Sequence, residues 1–373
     1  AYIALKEFKK KSVISFSIFF YFITFSVVSN LFFPIGTFMS ERFVYISSFG
    51  FCMVLAWFLF KYFAPKTHSE ETLKFNSTGN RKIFVLSALI ITGYSFKTIT
   101  RNDAWKDNYT LFTKDIETSP NSAKLRNSVG GETMAYADKE TDPVKKKELL
   151  LTSISNLKIA LEIYPQYTGA WLLLGNAYYK LDNQYEKAIE CYEQIIKIQP
   201  DHPDAYLNLG ITYRQSGKTH LSNKNLLKYL TYKPSDADAY FMIGDNCKKQ
   251  GQPDSAIAFL AKAAEIKPSS DTYREIGSIY GQIKNDMNNA ELYLKKALEL
   301  NPKDKTALEN LAIVYGIKQE HDKAIEIFNR TLELDPNNPN VLRNIAVAYA
   351  QKGDKENAEK YFAKANEVMG RGK

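Results

Sequence analysis

Cysteine and histidine are scarce in this 373-residue chain. The three cysteines are Cys52, in an apolar run, and Cys191 and Cys247, in periodic segments, and no ligand-like spacing joins them. That excludes a disulfide framework and a thiolate metal site. The four histidines, His68, His202, His220 and His321, are scattered, so no metal and no cofactor is expected. No glycine-rich loop precedes a helical segment, which removes the usual phosphate cradle. Charge is missing altogether from residues 12–40. The formal net charge of +8 comes largely from lysines flanking apolar runs, a juxtamembrane pattern rather than a nucleic-acid surface. The chain begins with Ala1, in what reads as the middle of something longer.

What is present first of all is a ladder of prolines: Pro165, Pro200, Pro234, Pro268, Pro302 and Pro336, with a first step of 35 residues and four of 34. A period that constant means one structural unit copied many times. Aligned on the prolines, the chain shows Trp171, Leu174, Gly175 and Tyr178, then Tyr206, Leu209, Gly210 and Tyr213, then Tyr240, Ile243 and Gly244. The register continues with Tyr273, Ile276, Gly277 and Tyr280, with Leu308, Leu311, Ala312 and Tyr315, and with Leu342, Ile345, Ala346 and Tyr349. This i, i+3, i+4, i+7 spacing is one helix face. A second helix follows in each unit, with Ala188, Ala256, Ala290, Ala324 and Ala358 at its small position, and the proline stops it. The small residue at the eighth position, Gly or Ala, lets the second helix come close. The whole pattern resembles the tetratricopeptide repeat over about residues 167–370. A degenerate first repeat precedes it, with Arg126, Val129, Gly130, Ala160 and Pro165 in register. The step from Pro120 to Pro165 is 45 residues, which places an eleven-residue insertion around 135–145, between its two helices.

Resemblance to tetratricopeptide proteins implies that the first helices line a concave groove binding extended peptides or partner helices. The groove positions are Asn176, Tyr179, Asn208, Arg214, Phe241, Asp245, Lys248, Arg274 and Arg343. The alternative for each of them is a solvated polar face. Asn176 and Asn208 match the asparagines with which some members clamp a terminal carboxylate, but Met242 and Asp245 stand where the basic pair belongs.

The first hundred residues read as membrane. A span is expected near 13–33, ended by Pro34, a second over 43–63 and a short third over 83–96, each near or below the ~20 apolar residues a bilayer requires. A buried or interfacial helix is the alternative for the third. A cleaved signal peptide does not fit three successive runs. Lys6, Lys9, Lys10 and Lys11 precede the first run, and Lys61, Lys66, Lys74, Arg81 and Lys82 separate the second from the third. The loop at 34–42 has only Arg42. The excess of Lys and Arg marks the cytoplasmic side, so three spans leave the repeats external; two would leave them in the cytoplasm. The expected fold class is therefore all-α, transmembrane helices followed by an α-solenoid of about seven helix pairs. Its regions are 1–100 for the membrane part, 101–118 for a junction and 119–370 for the repeats.

Two segments carry a further resemblance. Residues 32–51 hold Pro34, Glu41, Arg42, Tyr45, Ser48, Gly50 and Phe51. Residues 100–131 hold Arg101, Asn102, Trp105, Leu111, Phe112, Pro120, Asn121, Ala123 and Lys124. In this order, ahead of the repeats, they resemble the C-terminal part of the transmembrane-and-tetratricopeptide O-mannosyltransferases and their bacterial relatives. Ser47 departs from the proline common there. The resemblance implies sugar transfer from a polyprenyl-phosphate donor to Ser or Thr of a protein, outside the membrane. Arg42, oriented by Glu41, is the residue nominated for donor-phosphate contact, because a guanidinium meets a phosphate bidentately; an interfacial ion pair is the alternative. The family's catalytic carboxylate has no counterpart, so no catalytic residue is assigned and the chain alone is expected to be inactive. Partners expected are a polypeptide in the groove, a lipid bilayer and a polyprenyl-phosphate sugar, with no nucleic acid. A membrane-anchored scaffold that performs no chemistry is the alternative function. Asn76 and Asn108 open glycosylation sequons.

Overall fold

A computed structural model describes residues 13–28, 52–58, 61–62, 85–90, 92–93, 96, 106–182 and 184–371. The chain divides into two units, Ala1–Asp107 and Asn108–Lys373.

In the first unit, α1 spans Val13–Val28, 16 residues without a charge in its first or last turn, and short helical stretches lie at 52–58 and 85–90. At 1.5 Å per residue, α1 reaches only ~24 Å, short of a ~30 Å hydrocarbon core. Among the described residues no helix is long and apolar enough to cross a membrane. The expected transmembrane helices are corrected accordingly. An uncharged run is not by itself a long helix: this one is dense in Phe, Val, Ile, Ser and Thr, all weak helix formers. Pro34, Glu41, Arg42 and most of the lysines used for orientation lie outside the described residues.

The second unit is all helix. α2 (Asn108–Thr118) precedes seven helix pairs: α3 (Ala123–Lys139) with α4 (Pro143–Ile163), α5 (Thr168–Lys180) with α6 (Tyr185–Ile198), and α7 (Pro203–Gln215) with α8 (Thr219–Tyr232). They continue as α9 (Ala237–Lys249) with α10 (Pro253–Ile266), α11 (Ser270–Gln282) with α12 (Met287–Leu300), α13 (Lys305–Ile317) with α14 (His321–Leu334), and α15 (Pro339–Lys352) with α16 (Lys355–Arg371). Each helix packs on the next. First helices of neighbouring repeats also touch, as α3 does α5 and α13 does α15, without a comparable contact between second helices. The first helices thus form the inner side of the solenoid, as the resemblance to tetratricopeptide proteins implies.

The proline ladder works through its carbonyls as well as its rings. Trp171 Nε1 donates to the Pro165 carbonyl at 2.8 Å and the Tyr206 hydroxyl to that of Pro200 at 2.9 Å. Arg126 Nε donates to the Pro120 carbonyl at 3.0 Å. The degenerate repeat therefore keeps the bond with a guanidinium in place of an aromatic ring. Two residues after most of the prolines stands an N-cap: His202, Asp236, Asp304 and Asn338 each accept a backbone N–H of the following first helix. The extra eleven residues of the first repeat are not a loop. α3 and α4 have 17 and 21 residues where α5 and α6 have 13 and 14, so the helices themselves absorb the insertion. Asp142 caps α4 and Pro143 takes its first turn, which carries the helix start back into the inserted residues. The junction also folds: α2 lies against α3, with the Tyr109 and Tyr136 rings 4.7 Å apart and Asn108 Nδ2 donating to Glu132 Oε1.

Close approach within each pair rests on the eighth position. A Cβ on Gly130, Gly210, Gly244 or Gly277 would stand 2.6–2.8 Å from the Cγ of Leu157, Leu226, Leu260 or Leu294, and one on Gly175 would stand 2.5 Å from Tyr192. Two repeats add a polar tie that the sequence pattern did not announce. Ser153 and Ser222, where other repeats have alanine, donate to the carbonyls of Gly130 and Gly210 at 2.6 and 2.7 Å.

Candidate functional site

Asn176 and Tyr179 project from α5, Asn208 and Arg214 from α7, Phe241, Asp245 and Lys248 from α9, Arg274 from α11 and Arg343 from α15. One to two turns of first helix separate members of one repeat, and the stacking of α5, α7, α9 and α11 sets all but Arg343 on successive first helices.

The charged members are engaged with one another or with their neighbours. Arg214 pairs with Asp245 of the next first helix, and Lys249 reaches the same carboxylate oxygen at 2.9 Å. Lys248 donates to Glu275 Oε2 at 2.7 Å. Arg274 bridges Asp271 and Asp304, each at 2.7 Å. Burial opposes ionisation of Asp245, but Lys249 and Arg214 outweigh it and hold the carboxyl below its ordinary range. Burial likewise opposes ionisation of Asp304, and there the Ala307 N–H, the Ser270 hydroxyl and Arg274 prevail. Arg274 is raised despite its own desolvation, through Asp304 and Asp271. These pairs join α7 to α9, α9 to α11, and α11 to the start of α13, so they staple successive repeats along the inner wall. Arg343 is exposed.

The uncharged members form a different stretch. Asn176 Oδ1 accepts from the Tyr192 hydroxyl at 2.7 Å and from Asn208 Nδ2 at 3.3 Å. Tyr179 faces Tyr185 with ring centroids 5.7 Å apart. Its hydroxyl is pushed up by burial and by Tyr185, against a hydrogen bond with Gln215 and the charge of Arg214. Asn176 with Asn208 and Tyr179 with Gln215 thus make two polar ties between α5 and α7. Phe241 borders a separate concavity of about 270 Å³ with Ala237, Ala263 and Thr272.

Sequence reasoning missed Gln215, Glu275 and Asp304 as members of this wall. For Glu275 and Asp304 the signal is a spacing of 27 and 30 residues from an opposite charge, one repeat less one or two helical turns; Gln215 carries no such signal. Cys191 lies in a groove between α4 and α6, with Trp171 and Tyr178. Burial, then Glu190, push its thiol up to about 12, so it is a packed side chain rather than a nucleophile. Among the described residues no cluster of His, Cys, Asp and Glu could hold a metal ion.

Residues 182–217 match the family described as TPR repeat, and residues 237–270, 271–304 and 305–369 match tetratricopeptide repeat families. The chain therefore contains tetratricopeptide repeats in the register read from the prolines. Over its repeat region it is homologous to protein O-mannosyl-transferases. It is 28% identical over 239 residues to Protein O-mannosyl-transferase TMTC3 of Homo sapiens, an alignment covering 54% of this chain and 25% of the relative. It is 28% identical over 172 residues to Protein O-mannosyl-transferase TMTC1 of Homo sapiens, covering 46% of this chain and 17% of the relative. The chain thus spans about a quarter or less of the length of these relatives. Among solved structures, MamA is similar at 29% identity, with a TM-score of 0.43 and coverage of 45% of this chain and 92% of the other.

Proposed function

We propose that this chain is the repeat-bearing portion of a protein O-glycosyltransferase and that its inner wall holds an extended, uncharged stretch of acceptor polypeptide. The observation that carries the reading is the division of the wall. Arg214, Lys248 and Arg274 are neutralised by Asp245, Glu275, Asp304 and Asp271, whereas Asn176, Asn208, Tyr179 and Gln215 offer amide and hydroxyl groups. With Asn176 Oδ1 and Asn208 Nδ2 occupied by the bonds above, Asn176 Nδ2 and Asn208 Oδ1 remain as a donor and an acceptor. Side by side on neighbouring helices, they suit the N–H and C=O of a peptide backbone. Such recognition does not need a terminal carboxylate.

The experiment is calorimetric titration of the chain with an uncharged Ser/Thr-rich peptide blocked at both ends. Tight binding that falls about tenfold, ~1.4 kcal/mol, in Asn208→Ala supports the reading. A peptide that binds only with a free C-terminal carboxylate, or equal affinity of the variant, overturns it. Because Arg214, Lys248 and Arg274 are already paired, salt between 0.05 and 0.5 M should change this affinity little (screening acts over about 10 Å at 0.1 M).

The finer parts of the reading rest on the resemblance of residues 32–51 and on the relatives' names. They are a polyprenyl-phosphate donor contacted by Arg42, with Glu41 orienting it, and repeats on the external side. A reporter fused after Trp105 that is active only in the cytoplasm tests the placement: activity there overturns it.

A further inference from the structure

α8 differs from every other second helix of the solenoid. It holds no Asp or Glu, and the stretch between Asp204 and Asp236 has none at all. Elsewhere the row formed by Lys262, Lys296 and Arg330 is accompanied three residues later by Glu265, Glu299 and Glu333. In α8 the corresponding residues are Lys228 and Thr231, and Lys233 follows where α14 is followed by Asp335. The glutamate of that row is missing in α6 as well, where Lys197 takes its place, but α6 keeps Glu186, Glu190 and Glu193 and α8 has no carboxylate at all.

The same place carries a concavity. Between the α8–α9 turn and the end of α10 lies an open depression of about 660 Å³, lined by Tyr232, Lys233, Pro234, Ile266 and Lys267 among others. Ile266 is 40% exposed although it is a large apolar residue. Lys228 Nζ stands 5.2 Å from the centre of the Tyr232 ring. Two carboxylates border the depression. Asp236 is committed to capping α9 and to the Tyr229 hydroxyl, and Asp238 is exposed. Among the described residues no carboxylate lies within salt-bridge reach of Lys228, Lys233 or Lys267, whereas Lys218, Lys248, Lys284, Lys318 and Lys352 are all paired.

We propose that this depression docks an acidic polypeptide segment, one apolar side chain of which seats on Tyr232 and Ile266 while flanking carboxylates meet Lys228, Lys233 and Lys267. Charge complementarity selects the partner: unpaired cations beside exposed apolar surface repel basic segments and cost a neutral one the desolvation of three ammonium groups. The depression has the volume for an apolar anchor residue. A flat anionic membrane fits less well, because the flanking first helices α7 and α11 carry exposed Asp204 and Asp271 in their first turns, as α9 carries Asp238. The site is distinct from the inner wall and independent of what that wall holds.

The test is fluorescence anisotropy of the full chain with a labelled peptide of Asp and Glu around a single Phe. The expected result is saturable binding that weakens at least tenfold in Lys233→Glu/Lys267→Glu, weakens with added salt, and weakens when the peptide's Phe is replaced by Ser. Asn208→Ala should leave it unchanged. Both lysines are exposed, and an unaltered circular dichroism melt of the double variant shows that the fold survives. Equal affinity for a charge-reversed Lys/Arg peptide, or an unchanged affinity in the double variant, overturns the proposal. So does binding of phosphatidylglycerol vesicles without binding of the peptide, which would make the patch a lipid surface.

Discussion

The first five repeats and the last two solve the same packing problem with different pairs of residues. In the first five the inner helix supplies glycine and the outer helix supplies Leu157, Tyr192, Leu226, Leu260 or Leu294, whose side chain occupies the space a Cβ would fill. In the last two the inner helix supplies Ala312 or Ala346, and the outer position, 34 and 68 residues beyond Leu294, is Phe328 or Phe362. Ala312 and Phe328 lie in one buried cluster. A branched leucine Cγ and a methyl group compete for one site, and so does the ring of Tyr192 at Gly175, whereas the last two repeats seat a phenylalanine beside an alanine. The lesson is that the same close approach is built from more than one pair of residues.

The largest effect should come from forcing the wrong pairing. Gly244→Ala places a methyl 2.7 Å from Leu260 Cγ and 3.2 Å from the Ala256 carbonyl oxygen. Overpacking costs about 1–3 kcal/mol, against the ~1 kcal/mol that alanine gains in a helix interior. A lower denaturant midpoint and faster amide exchange in α9 and α10 check this. The reverse change, Ala312→Gly, should lose about 1 kcal/mol through helix propensity and lost packing. Gly244→Ala combined with Leu260→Phe should recover part of the loss. If it recovers none, the exchange of pairs does not explain the difference between the two groups of repeats.

A middle-sized effect lies in charge. In the later repeats Glu291 of α12 takes Lys295, Lys318 and the Tyr315 hydroxyl. Burial opposes its ionisation, but those partners bring it down to about 2 from 4.5. A carboxyl depressed on folding contributes stability that is complete above its unfolded value and disappears as pH falls through the folded one. The melting temperature should therefore drop between about pH 4.5 and pH 2, and Glu291→Gln should flatten part of that drop while lowering the neutral-pH value. A pH-independent difference between the two proteins would refute the assignment.

The smallest effect concerns the turns inside the pairs. Six of them place a residue in the left-handed region: Gly217, Gly251 and Gly353, but also Asp182, Asn285 and Gln319. A residue with a Cβ pays about 1–2 kcal/mol there, and Asn or Asp less. Gln319→Gly should thus stabilise by some part of 1 kcal/mol, offset by glycine's larger unfolded-state entropy. Asn285→Gly should gain less. Thermal melts of the two variants compare them directly.

Much of this was legible in the sequence because a repeat states each contact several times over. The positions of Leu174, Leu209, Ile243, Ile276, Leu311 and Ile345 gave the buried face, and all six are at most 3% exposed. The first repeat was found in register although only Val129, Gly130, Ala160 and the prolines marked it. Its insertion was placed in the right stretch but read as lying between the helices, because a loop and two longer helices use the same eleven residues and only the capping at Asp142 and Pro143 separates them. The transmembrane expectation failed where composition stood in for length of helix. In the inner wall the nine positions were nominated one by one, and their partnerships were not visible. Arg214 and Asp245 are 31 residues apart, and the offset between stacked repeats decides that they meet rather than face solvent.

What the sequence alone determined is the unit: a 34-residue period, apolar residues at helical spacing and a small residue at each close approach admit little besides stacked helix pairs. The stacking itself decided the rest. It neutralised the charged half of the inner wall, joined Asn176 to Asn208, and left Lys228, Lys233 and Lys267 without carboxylates beside an open apolar depression. Local pattern sets which face of a helix is buried, because that face depends on neighbours three and four residues away. Which charges cancel depends on the rotation between one repeat and the next, and no single repeat encodes that rotation.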